Sequence, residues 1–241
     1  MNYFFITGSS RGLGKALAST LLKEEMNFVT GISRHCSISH PNYKHIILDL
    51  ANPAQVLRFL PDIFPSLQAA DKIVLINNAS VLGKAAYLGN TDSQAILDSL
   101  QVNIASPAIL INEFIRKYEK QDAEKIILNI TSGAGKRAVD GWASYCAAKA
   151  ALNMMSDVMA EEEKIRQRGF RIFSAAPGIV DTYMQAEIRN SDVENFSALE
   201  KFRAYKEEGA LADPEYVAGK LIYVLNNPGS FPGTQISVRD F

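Results

Sequence analysis

The sequence predicts an α/β chain with a single-domain, Rossmann-like doubly wound fold, in which helices flank a seven-stranded parallel sheet. Two observations lead to this fold class. Short apolar runs rich in β-branched and aromatic residues alternate with longer stretches of helical periodicity. The apolar runs are continuous, as expected for strands that helices cover on both faces. No repeat or Gly/Pro/Ser-rich linker divides the 241 residues, so residues 1–241 are expected to form one domain.

Each element follows from a particular stretch of the chain. Helices are predicted over 13–25, 92–119 and 144–168. The segment 183–212 is charged, helical in pattern and longer than a typical connection, so we interpret it as an insertion that covers the substrate. The predicted strands are NYFFIT (2–7), FVTGIS (28–33), HIIL (45–48), KIVLIN (72–77), KIILNI (125–130), RIFSAA (171–176) and TQISV (234–238).

Composition excludes several classes of function. The net charge is −1 and the 25 basic residues are scattered, which leaves no basic patch for nucleic acid or an anionic membrane. No apolar run approaches the ~20 residues that span a bilayer, and the amino terminus lacks the pattern of a signal peptide. Cys36 and Cys146 have neither disulfide nor metal-ligand spacing. We therefore expect a cytoplasmic protein that acts on a small molecule and holds no metal.

A glycine-rich turn, TGSSRGLG, links the first strand to the first helix. Glycines at this position permit a tight turn and close approach of backbone N–H groups to a pyrophosphate, while the helix N-terminus attracts its charge. The spacing G-x-x-x-G-x-G differs from the usual dinucleotide fingerprint, and a purely structural turn is the alternative. The residues expected to bind a dinucleotide are Gly8, Ser9, Ser10, Arg11, Gly12, Leu13 and Gly14.

The end of the second strand favours NADP(H) over NAD(H). An acidic residue that would hold the ribose of NAD is missing there, and the sequence has Ser33 and Arg34 instead. Arg34, with Arg11, can pair with a 2′-phosphate; the alternative is that both are solvated. After the third strand come Asp49 and Leu50. Asp49 can accept from an adenine amino group or cap a helix.

Several motifs in order resemble the short-chain dehydrogenase/reductase family. They are TGSSRGLG, NNAS, VNIASP, NITSGAG, YCAAK and APGIVDT, and the resemblance runs from about residue 3 to the C-terminus. The stretches GW-x-x-YC-x-x-K, DTYMQ and EKFRAYKEEGAL are most similar to sepiapterin reductases and to bacterial benzil reductases that form (S)-benzoin. The family implies a nicotinamide cofactor and a carbonyl or alcohol substrate.

Tyr145 and Lys149 are the central catalytic candidates. Four residues apart on a helix, they share a face, with Cβ atoms ~5–6 Å apart. A lysine charge about 6 Å away, at an effective dielectric near 20, favours the phenolate by roughly 2.8 kcal/mol, or about two units of phenol pKa. We therefore expect Tyr145 to protonate the carbonyl. Ser132 follows the strand KIILNI, where its hydroxyl can polarise the carbonyl or cap a turn.

The resemblance assigns further residues. Asn103 is the family's fourth catalytic member, on a water-linked proton path to Lys149, although the sequence alone reads it as an asparagine inside or kinking a helix. Ser80 stands where the family's NNAG motif has glycine. The remaining cofactor residues implied are Asn77, Asn78, Ala79, Pro177, Gly178, Val180, Thr182 and Met184, with Tyr145 and Lys149.

The substrate end is predicted less directly. Trp142 and Tyr183 are candidate walls of an apolar pocket, although lone aromatic residues also belong to cores. Ser237 takes the position of the acidic residue that grips the pterin in sepiapterin reductases, with Asp240 three residues later. This departure favours a less polar dicarbonyl. The substrate residues expected are Ser132, Gly133, Trp142, Tyr145, Gly178, Tyr183 and Ser237.

Together these features predict an NADPH-dependent reductase that converts one carbonyl of an aromatic or vicinal diketone to an alcohol. Pterin reduction is one alternative, and a catalytically idle NADP(H)-sensing module is another. A methyltransferase is less compatible, because it would need an acidic residue where Arg34 stands. Helices around 104–119 and 144–168 carry apolar residues beyond one buried stripe, so a homodimer is expected, with a tetramer as the other possibility.

Overall fold

Seven parallel strands form one sheet in the order β3-β2-β1-β4-β5-β6-β7. The computed structural model describes all 241 residues and confirms each predicted strand within one residue at either end, except that β3 begins two residues earlier. The strands are β1 (Asn2–Thr7), β2 (Asn27–Ser33), β3 (Tyr43–Ile47), β4 (Lys72–Asn77), β5 (Glu124–Ile130), β6 (Phe170–Ala176) and β7 (Gln235–Ser237).

Eight α-helices surround the sheet: α1 (Gly12–Leu21), α2 (Pro53–Ile63), α3 (Ser93–Leu100), α4 (Ser106–Tyr118), α5 (Ala143–Arg166), α6 (Tyr183–Arg189), α7 (Leu199–Glu207) and α8 (Pro214–Asn226). On one face, α1 and α8 pack on the strands through residues such as Leu17 and Leu221. On the other face, α2, α4 and α5 do so through Val56, Phe114 and Met159. Both faces of the central strands are therefore covered, which explains their continuous apolar sequence.

The strand order reverses between β1 and β4, which run side by side with helices leaving toward opposite faces. Ligands of open α/β sheets bind in the crevice that such a reversal opens at the carboxyl ends of the strands. The glycine turn after β1 and the asparagines after β4 both lie at this edge. The topology thus brings the predicted cofactor residues together.

A π-helical turn over Gln101–Ala105 joins α3 to α4 into one helix, Ser93–Tyr118. By length and composition alone this helix is apolar enough to cross a membrane. Its Leu110, Phe114 and Tyr118 are buried in the core against the sheet, as in the core helix of a globular domain. The sequence predicted this helix over 92–119, and the structure confirms it within one residue at each end.

The segment 183–212 is helical as predicted and contains α6 and α7. Its ends are held together by a parallel bridge between Val180 and Ala212. Phe196 from this segment stacks on the Trp142 ring, and Ile188 belongs to the same apolar cluster. The insertion therefore lies over the start of α5, where the predicted proton donor is found.

Candidate active site

The glycine turn has the backbone that dinucleotide binding needs. Gly8 and Gly12 have φ of +71° and +55°, in the left-handed region that favours glycine. A Cβ on Gly14 would lie 2.2 Å from the Gly8 carbonyl oxygen, so only glycine allows α1 to approach this closely. The N-terminus of α1 has no side-chain cap and no acidic residue in its first turn. Its free N–H groups and its dipole therefore fit the pyrophosphate of a nicotinamide cofactor.

Ser9 is one correction to the predicted contacts in this turn. Its side chain is fully buried, and its hydroxyl pairs with the Tyr43 hydroxyl at 3.1 Å. The Ser10 carbonyl accepts from Ser37 Oγ at 2.7 Å, and Leu13 is a core residue. Ser9 and Leu13 shape the turn, and only their backbone can face a ligand.

The asparagines after β4 also serve the architecture. The Thr7 hydroxyl accepts from the backbone N–H groups of Asn78 and Ala79, both at 3.0 Å, and Asn78 Nδ2 donates to the Thr7 carbonyl oxygen at 3.0 Å. Asn77 is buried and donates to Asn129 Oδ1 at 2.9 Å. The predicted cofactor contact of the Asn77 side chain is therefore not available, and these residues instead fix the edge of the crevice.

The three residues expected near the 2′-phosphate differ in their exposure and in their contacts. Ser33 is buried, and its hydroxyl donates to the His35 carbonyl oxygen at 2.9 Å. Arg34 is exposed and takes part in no salt bridge. The Arg11 guanidinium lies 4.1 Å from the centroid of the Tyr183 ring. Arg34 is the free cation at this end, whereas Arg11 contacts the insertion.

Asp49 does not cap a helix. The N-cap of α2 is Asn52, whose side chain accepts from the Gln55 N–H, while Asp49 Oδ1 accepts from the Ala51 N–H at 3.0 Å. Leu50 beside it is buried in the core. The capping alternative was wrong, and the second oxygen of the Asp49 carboxylate remains available.

At the other end of the crevice, the turn after β5 is pressed against α5. A Cβ on Gly135 would lie 2.8 Å from the Lys149 carbonyl carbon. Ser132 begins this turn, and its hydroxyl accepts from the Ala134 N–H at 3.1 Å. Ser132 therefore also caps the turn, the alternative role predicted from the sequence. Gly133, next to it, is exposed. The close contact holds Ser132 beside Tyr145.

Tyr145 and Lys149 share a face of α5, as predicted, and both are buried. Lys149 Nζ lies 5.6 Å from the centroid of the Tyr145 ring and donates to the Ile130 carbonyl oxygen at 2.9 Å. Burial lowers the pKa of Lys149 to about 8 and raises the pKa of Tyr145 above its ordinary value, with hydrogen bonding from Ser132 and Ser80 opposing that rise.

The expected fall in the pKa of Tyr145 is therefore not found in this structure. The sequence argument counted the attraction between the lysine ammonium and the phenolate, but it left out the loss of hydration of both groups on burial. In a buried pair that loss can exceed the attraction. Burial therefore favours the neutral form of each group, with the pKa of Tyr145 raised and that of Lys149 lowered.

Asn103 lies in the π-helical turn, and its side chain is fully buried. Its Oδ1 accepts from the Val81 N–H at 3.0 Å and from Ser80 Oγ at 2.8 Å. Its Nδ2 donates to the Val81 carbonyl oxygen at 2.7 Å and to Ser99 Oγ at 3.1 Å. The alternative of an asparagine at a helix distortion is confirmed, and Asn103 also joins this turn to the loop that carries Ser80. Its part in a proton path to Lys149 stays a prediction.

An aromatic cluster forms the wall beside Tyr145. The Trp142 ring stacks on Phe196 at 5.3 Å and meets Tyr145 edge-on at 5.8 Å, and Met184 packs against the same cluster. Trp142 Nε1 is buried without a hydrogen-bond partner. The crevice between Trp142, Tyr145 and the loop at Leu82 measures about 20 Å³. A wider hollow of about 330 Å³ adjoins it and shares part of its lining.

Tyr183 corrects the predicted substrate wall. Its side chain is 54% exposed and stacks on Arg11, so it contacts the glycine turn and takes no part in the cluster around Trp142. Phe196, which occupies that place, was not predicted. The aromatic pair Phe196 and Phe202 in the insertion is the pattern that could have indicated it.

The turn after β6 lies between the cofactor crevice and the C-terminus. Pro177 precedes Gly178, whose φ is +82°; a Cβ there would lie 3.2 Å from Arg239 Nε. Ser237 Oγ accepts from the Arg239 N–H at 3.3 Å, and Asp240 is exposed. Thr182 lies against Gly12, with its Cγ2 3.2 Å from a Cβ built there. Arg239 was not predicted, and it places a cation beside Gly178.

Comparison with known proteins agrees with this geometry. A family model described as short chain dehydrogenase matches residues 2–193. A benzil reductase ((S)-benzoin forming) from Bacillus cereus is 36% identical, covering 98% of each chain. A sepiapterin reductase from Mus musculus is 28% identical and covers 98% of this chain and 95% of the relative. A short chain dehydrogenases/reductase structure from Saccharomyces cerevisiae matches with a TM-score of 0.83 at 25% identity, covering 99% of this chain and 96% of that one.

Proposed function

The chain belongs to the short-chain dehydrogenase family, and from that premise we propose that it is an NADPH-dependent reductase of aromatic or vicinal diketones. It is an oxidoreductase of CH–OH and C=O groups and uses a nicotinamide cofactor. The observation that carries the proposal is the meeting of Ser132 and Tyr145 beneath an aromatic wall. Tyr145 lines the crevice beside Trp142, and the turn that begins at Ser132 is pressed against α5 at Lys149, one helical turn from Tyr145, at the carboxyl end of the sheet.

Tyr145 supplies the proton in the proposed reaction. The nicotinamide, when bound, supplies the hydride. The Tyr145 hydroxyl protonates the carbonyl oxygen, and the Ser132 hydroxyl donates a hydrogen bond to that oxygen as negative charge develops on it. Because burial raises the pKa of Tyr145, the phenol is held protonated at neutral pH, as carbonyl reduction requires. Lys149, with its pKa lowered to about 8, lies close enough to exchange protons with Tyr145.

The wall of the crevice supports an aromatic substrate. Trp142, Phe196 and Phe202 present ring faces and edges within about 5–6 Å of one another, which suits an aryl ketone. The unpaired Trp142 N–H favours a substrate with an acceptor beside the ring, such as a second carbonyl. The similarity to benzil reductases points to the same class.

A pterin is the second candidate, because sepiapterin reductases also match nearly the whole chain. Ser237 and the guanidinium of Arg239 next to Gly178 disfavour the basic amino groups of a pterin, since an acid is needed to bind them. An idle sensor is disfavoured because burying Tyr145 and Lys149 lowers stability without aiding cofactor binding by the glycine turn.

Substrate entry requires the insertion to move. The crevice beside Tyr145 holds about 20 Å³, which is about the volume of one water-sized probe and far less than a diaryl diketone. Ile188 of α6 and Leu199 of α7 belong to the same apolar cluster as Trp142 and Tyr145. We propose that the segment 183–212 opens and closes over the substrate.

A substrate panel tests the proposed function. Purified protein should oxidise NADPH with benzil faster than with diacetyl, sepiapterin or an aliphatic ketone, and the product should be the hydroxyketone. Trp142→Leu should reduce kcat/KM for benzil at least tenfold while changing that for diacetyl less than threefold. Equal turnover of sepiapterin and benzil would favour the pterin alternative, and no turnover of any carbonyl would contradict the enzyme.

We also propose a homodimer. Met154 and Val158 of α5 and Leu97 of α3 are exposed apolar side chains on adjacent helices, a surface that self-association would cover. Light scattering should give twice the 26.5 kDa chain mass. Met154→Lys combined with Leu97→Glu should shift it to the monomer, and an unchanged mass would exclude this surface.

A further inference from the structure

Gly31, in the middle of β2, leaves room for a polar contact between two other segments. A Cβ built on Gly31 would overlap both the Tyr43 hydroxyl oxygen and Ser9 Oγ. Glycine inside a strand often marks such a close approach. Across Gly31 the hydroxyl oxygens of Ser9 and Tyr43 lie 3.1 Å apart, and this contact joins the glycine turn to the edge strand β3.

His45 extends this contact on the other side of Tyr43. Its Nδ1 lies 2.7 Å from the Tyr43 hydroxyl oxygen, and its Nε2 lies 3.2 Å from the Ser33 carbonyl oxygen and 3.4 Å from Ser33 Oγ. Through Tyr43 and His45, the glycine turn is thus connected by hydrogen bonds to the end of β2. We call Ser9, Tyr43, His45 and Ser33 the Ser9–Ser33 chain.

The partners of His45 determine which of its ring nitrogens carries the proton. The Ser33 carbonyl only accepts hydrogen bonds, and the Ser33 hydroxyl donates its own proton to the His35 carbonyl oxygen at 2.9 Å. Nε2 must therefore be the donor. His45 forms no ion pair, and in a neutral imidazole Nδ1 is then an acceptor. The Tyr43 hydroxyl therefore donates to Nδ1, and its oxygen accepts from the Ser9 hydroxyl.

Both ends of the Ser9–Ser33 chain lie at the predicted binding site of the cofactor. Ser9 is fully buried, and Tyr43 is the only hydrogen-bond partner of its hydroxyl. This bond fixes the turn just before the free N–H groups of α1. Ser33 directly precedes Arg34, the exposed cation expected at the 2′-phosphate. The chain therefore holds the two halves of the cofactor site in a fixed relation to each other.

We infer that His45 is a positioning residue for the nicotinamide cofactor. Through Nε2 it holds the end of β2, and through Nδ1 and the Tyr43 hydroxyl it holds Ser9 in the glycine turn. The inference rests on the family's use of a nicotinamide cofactor and is independent of the substrate proposed above. His45 does not line the crevice at Tyr145, so its loss should weaken cofactor binding without acting on the proton donor.

The tautomer of His45 tests the direction of the chain without any substrate. In protein labelled with ¹⁵N-histidine, long-range ¹H–¹⁵N correlations show which ring nitrogen carries the proton. The chain has only three histidines, and the His45 signals are those lost in His45→Leu. Wild type should show the Nε2–H form at about pH 8, where an ordinary imidazole is neutral. The Nδ1–H form or the imidazolium at that pH would overturn the inference.

Cofactor binding tests the positioning role. Tyr43→Phe keeps the ring that packs on the core and removes only the hydroxyl. Fluorescence titration should show a Kd raised about three- to tenfold for NADPH and for NADH alike, as expected for the loss of one hydrogen bond. Both cofactors should respond because both carry the pyrophosphate that the glycine turn binds.

Tyr118→Phe is the matched control for Tyr43→Phe. The Tyr118 hydroxyl donates to the Pro65 carbonyl oxygen at 2.8 Å, away from the glycine turn, so this variant should keep both Kd values within about twofold of wild type. Equal weakening in the two tyrosine variants would contradict the role of the chain. So would unchanged Kd values in Tyr43→Phe.

A double-mutant cycle separates a connected chain from independent support of the turn. Ser9 and His45 share no hydrogen bond, because Tyr43 lies between them. Changes at independent sites add, whereas changes within one hydrogen-bond network do not. Ser9→Ala and His45→Leu should each raise the Kd for NADPH about three- to tenfold, and the double variant should bind no more weakly than the weaker single variant. Additive effects would overturn the inference.

His45→Asn tests whether the acceptor, rather than the bulk of the ring, holds the turn. The asparagine Oδ1 takes about the place of Nδ1 beside the Tyr43 hydroxyl and accepts in the same way. His45→Asn should therefore bind NADH within about twofold of wild type, although His45→Leu does not. Equal weakening in His45→Asn and His45→Leu would contradict a role through Tyr43. These titrations contain no carbonyl substrate, so they decide on His45 whether or not benzil is reduced.

Discussion

The glycine turn and the crevice around Tyr145 lie at the same edge of the sheet but are built in opposite ways. In the turn, the contacts among Thr7, Gly8 and Asn78 hold the backbone in place and leave the N–H groups of α1 free. In the crevice, Trp142 Nε1 is buried without a partner, and burial raises the pKa of Tyr145 and lowers that of Lys149. The shape of the turn is set by contacts within the chain, whereas the crevice holds side-chain polar groups at the expense of stability.

This difference separates two kinds of constraint. Substitutions in the turn should damage folding and, through it, cofactor binding, because the backbone itself is closely packed. Substitutions in the crevice should damage turnover and leave the fold intact or even stabilise it, since strained or poorly hydrated groups at active sites lower stability.

Tyr145→Phe removes a single oxygen atom and should lower turnover more than the other substitutions proposed below. Loss of the proton donor should lower kcat by about 10²–10⁴-fold, while the free energy of unfolding changes by less than about 1 kcal/mol, because the lost hydroxyl was itself buried. The measurements are benzil-dependent NADPH oxidation and urea unfolding.

Tyr118→Phe is the matched control for Tyr145→Phe. Tyr118 is also buried, but its hydroxyl donates to the Pro65 carbonyl oxygen at 2.8 Å, away from the crevice. This variant should lose about 1–2 kcal/mol of stability and keep its kcat. Turnover retained in Tyr145→Phe would remove Tyr145 from the mechanism.

Gly14→Ala tests the turn. A methyl group there meets the Gly8 carbonyl oxygen at 2.2 Å and Asn78 Nδ2 at 2.4 Å, so α1 must move away from β1, at a cost of about 1–3 kcal/mol in the free energy of unfolding. NADPH binding, followed by fluorescence, should weaken at least tenfold. Gly219→Ala makes the same change in α8, where nothing lies within 4 Å, and should stabilise the protein by up to about 1 kcal/mol. A stable Gly14→Ala variant would show that the turn is looser than its contacts indicate.

Lys149→Met should stabilise the protein at neutral pH and lower turnover. Because burial lowers the pKa of Lys149 from 10.5 to about 8, folding at pH 7 bears the full cost of burying the ammonium. The unfolded chain binds the extra proton between about pH 8 and 10.5, so wild-type stability recovers through that range. After loss of the bond to Ile130, the net gain at pH 7 should be about 1–2 kcal/mol, shrinking toward pH 10 in thermal unfolding.

Lys125→Met should behave in the opposite way. Lys125 is also buried with a lowered pKa, but it donates to the carbonyls of Glu119 and Gln121 after the end of α4, and Glu163 favours its charge. A cation there stabilises the helix end. Its removal should therefore destabilise the protein at pH 7. If Lys125→Met and Lys149→Met changed the free energy of unfolding equally, burial of the ammonium alone would determine the effect.

The sequence predicted most of the fold and the position of the chemistry, for physical reasons that differ by element. KIVLIN was predicted as a strand covered by helices on both faces, because a strand buried on both faces has a continuous run of apolar residues. Tyr145 and Lys149 were predicted to lie together because residues four apart share one face of an α-helix. The direction of the pKa of Tyr145 was predicted wrongly, because hydration lost on burial depends on neighbours such as Phe196 that are distant in sequence. For the same reason the hydrogen bond between Ser80 and Asn103 could not be predicted.

The smallest expected effect separates the two arginines at the cofactor end. Arg34→Ala removes the free cation after β2, so it should raise the KM for NADPH about tenfold and leave that for NADH within twofold, as expected for the loss of one charge-assisted contact with the 2′-phosphate. Arg11→Ala instead removes the stack on Tyr183, worth about 0.5–1 kcal/mol at an exposed site. Because that stack joins the glycine turn to the insertion whichever cofactor is bound, its loss should raise both KM values by the same two- to fivefold. Arg34→Lys, which keeps the charge, should fall between wild type and Arg34→Ala for NADPH alone. Selective loss of NADPH in Arg11→Ala would reverse the assignment and make the stacked arginine the one that reads the phosphate.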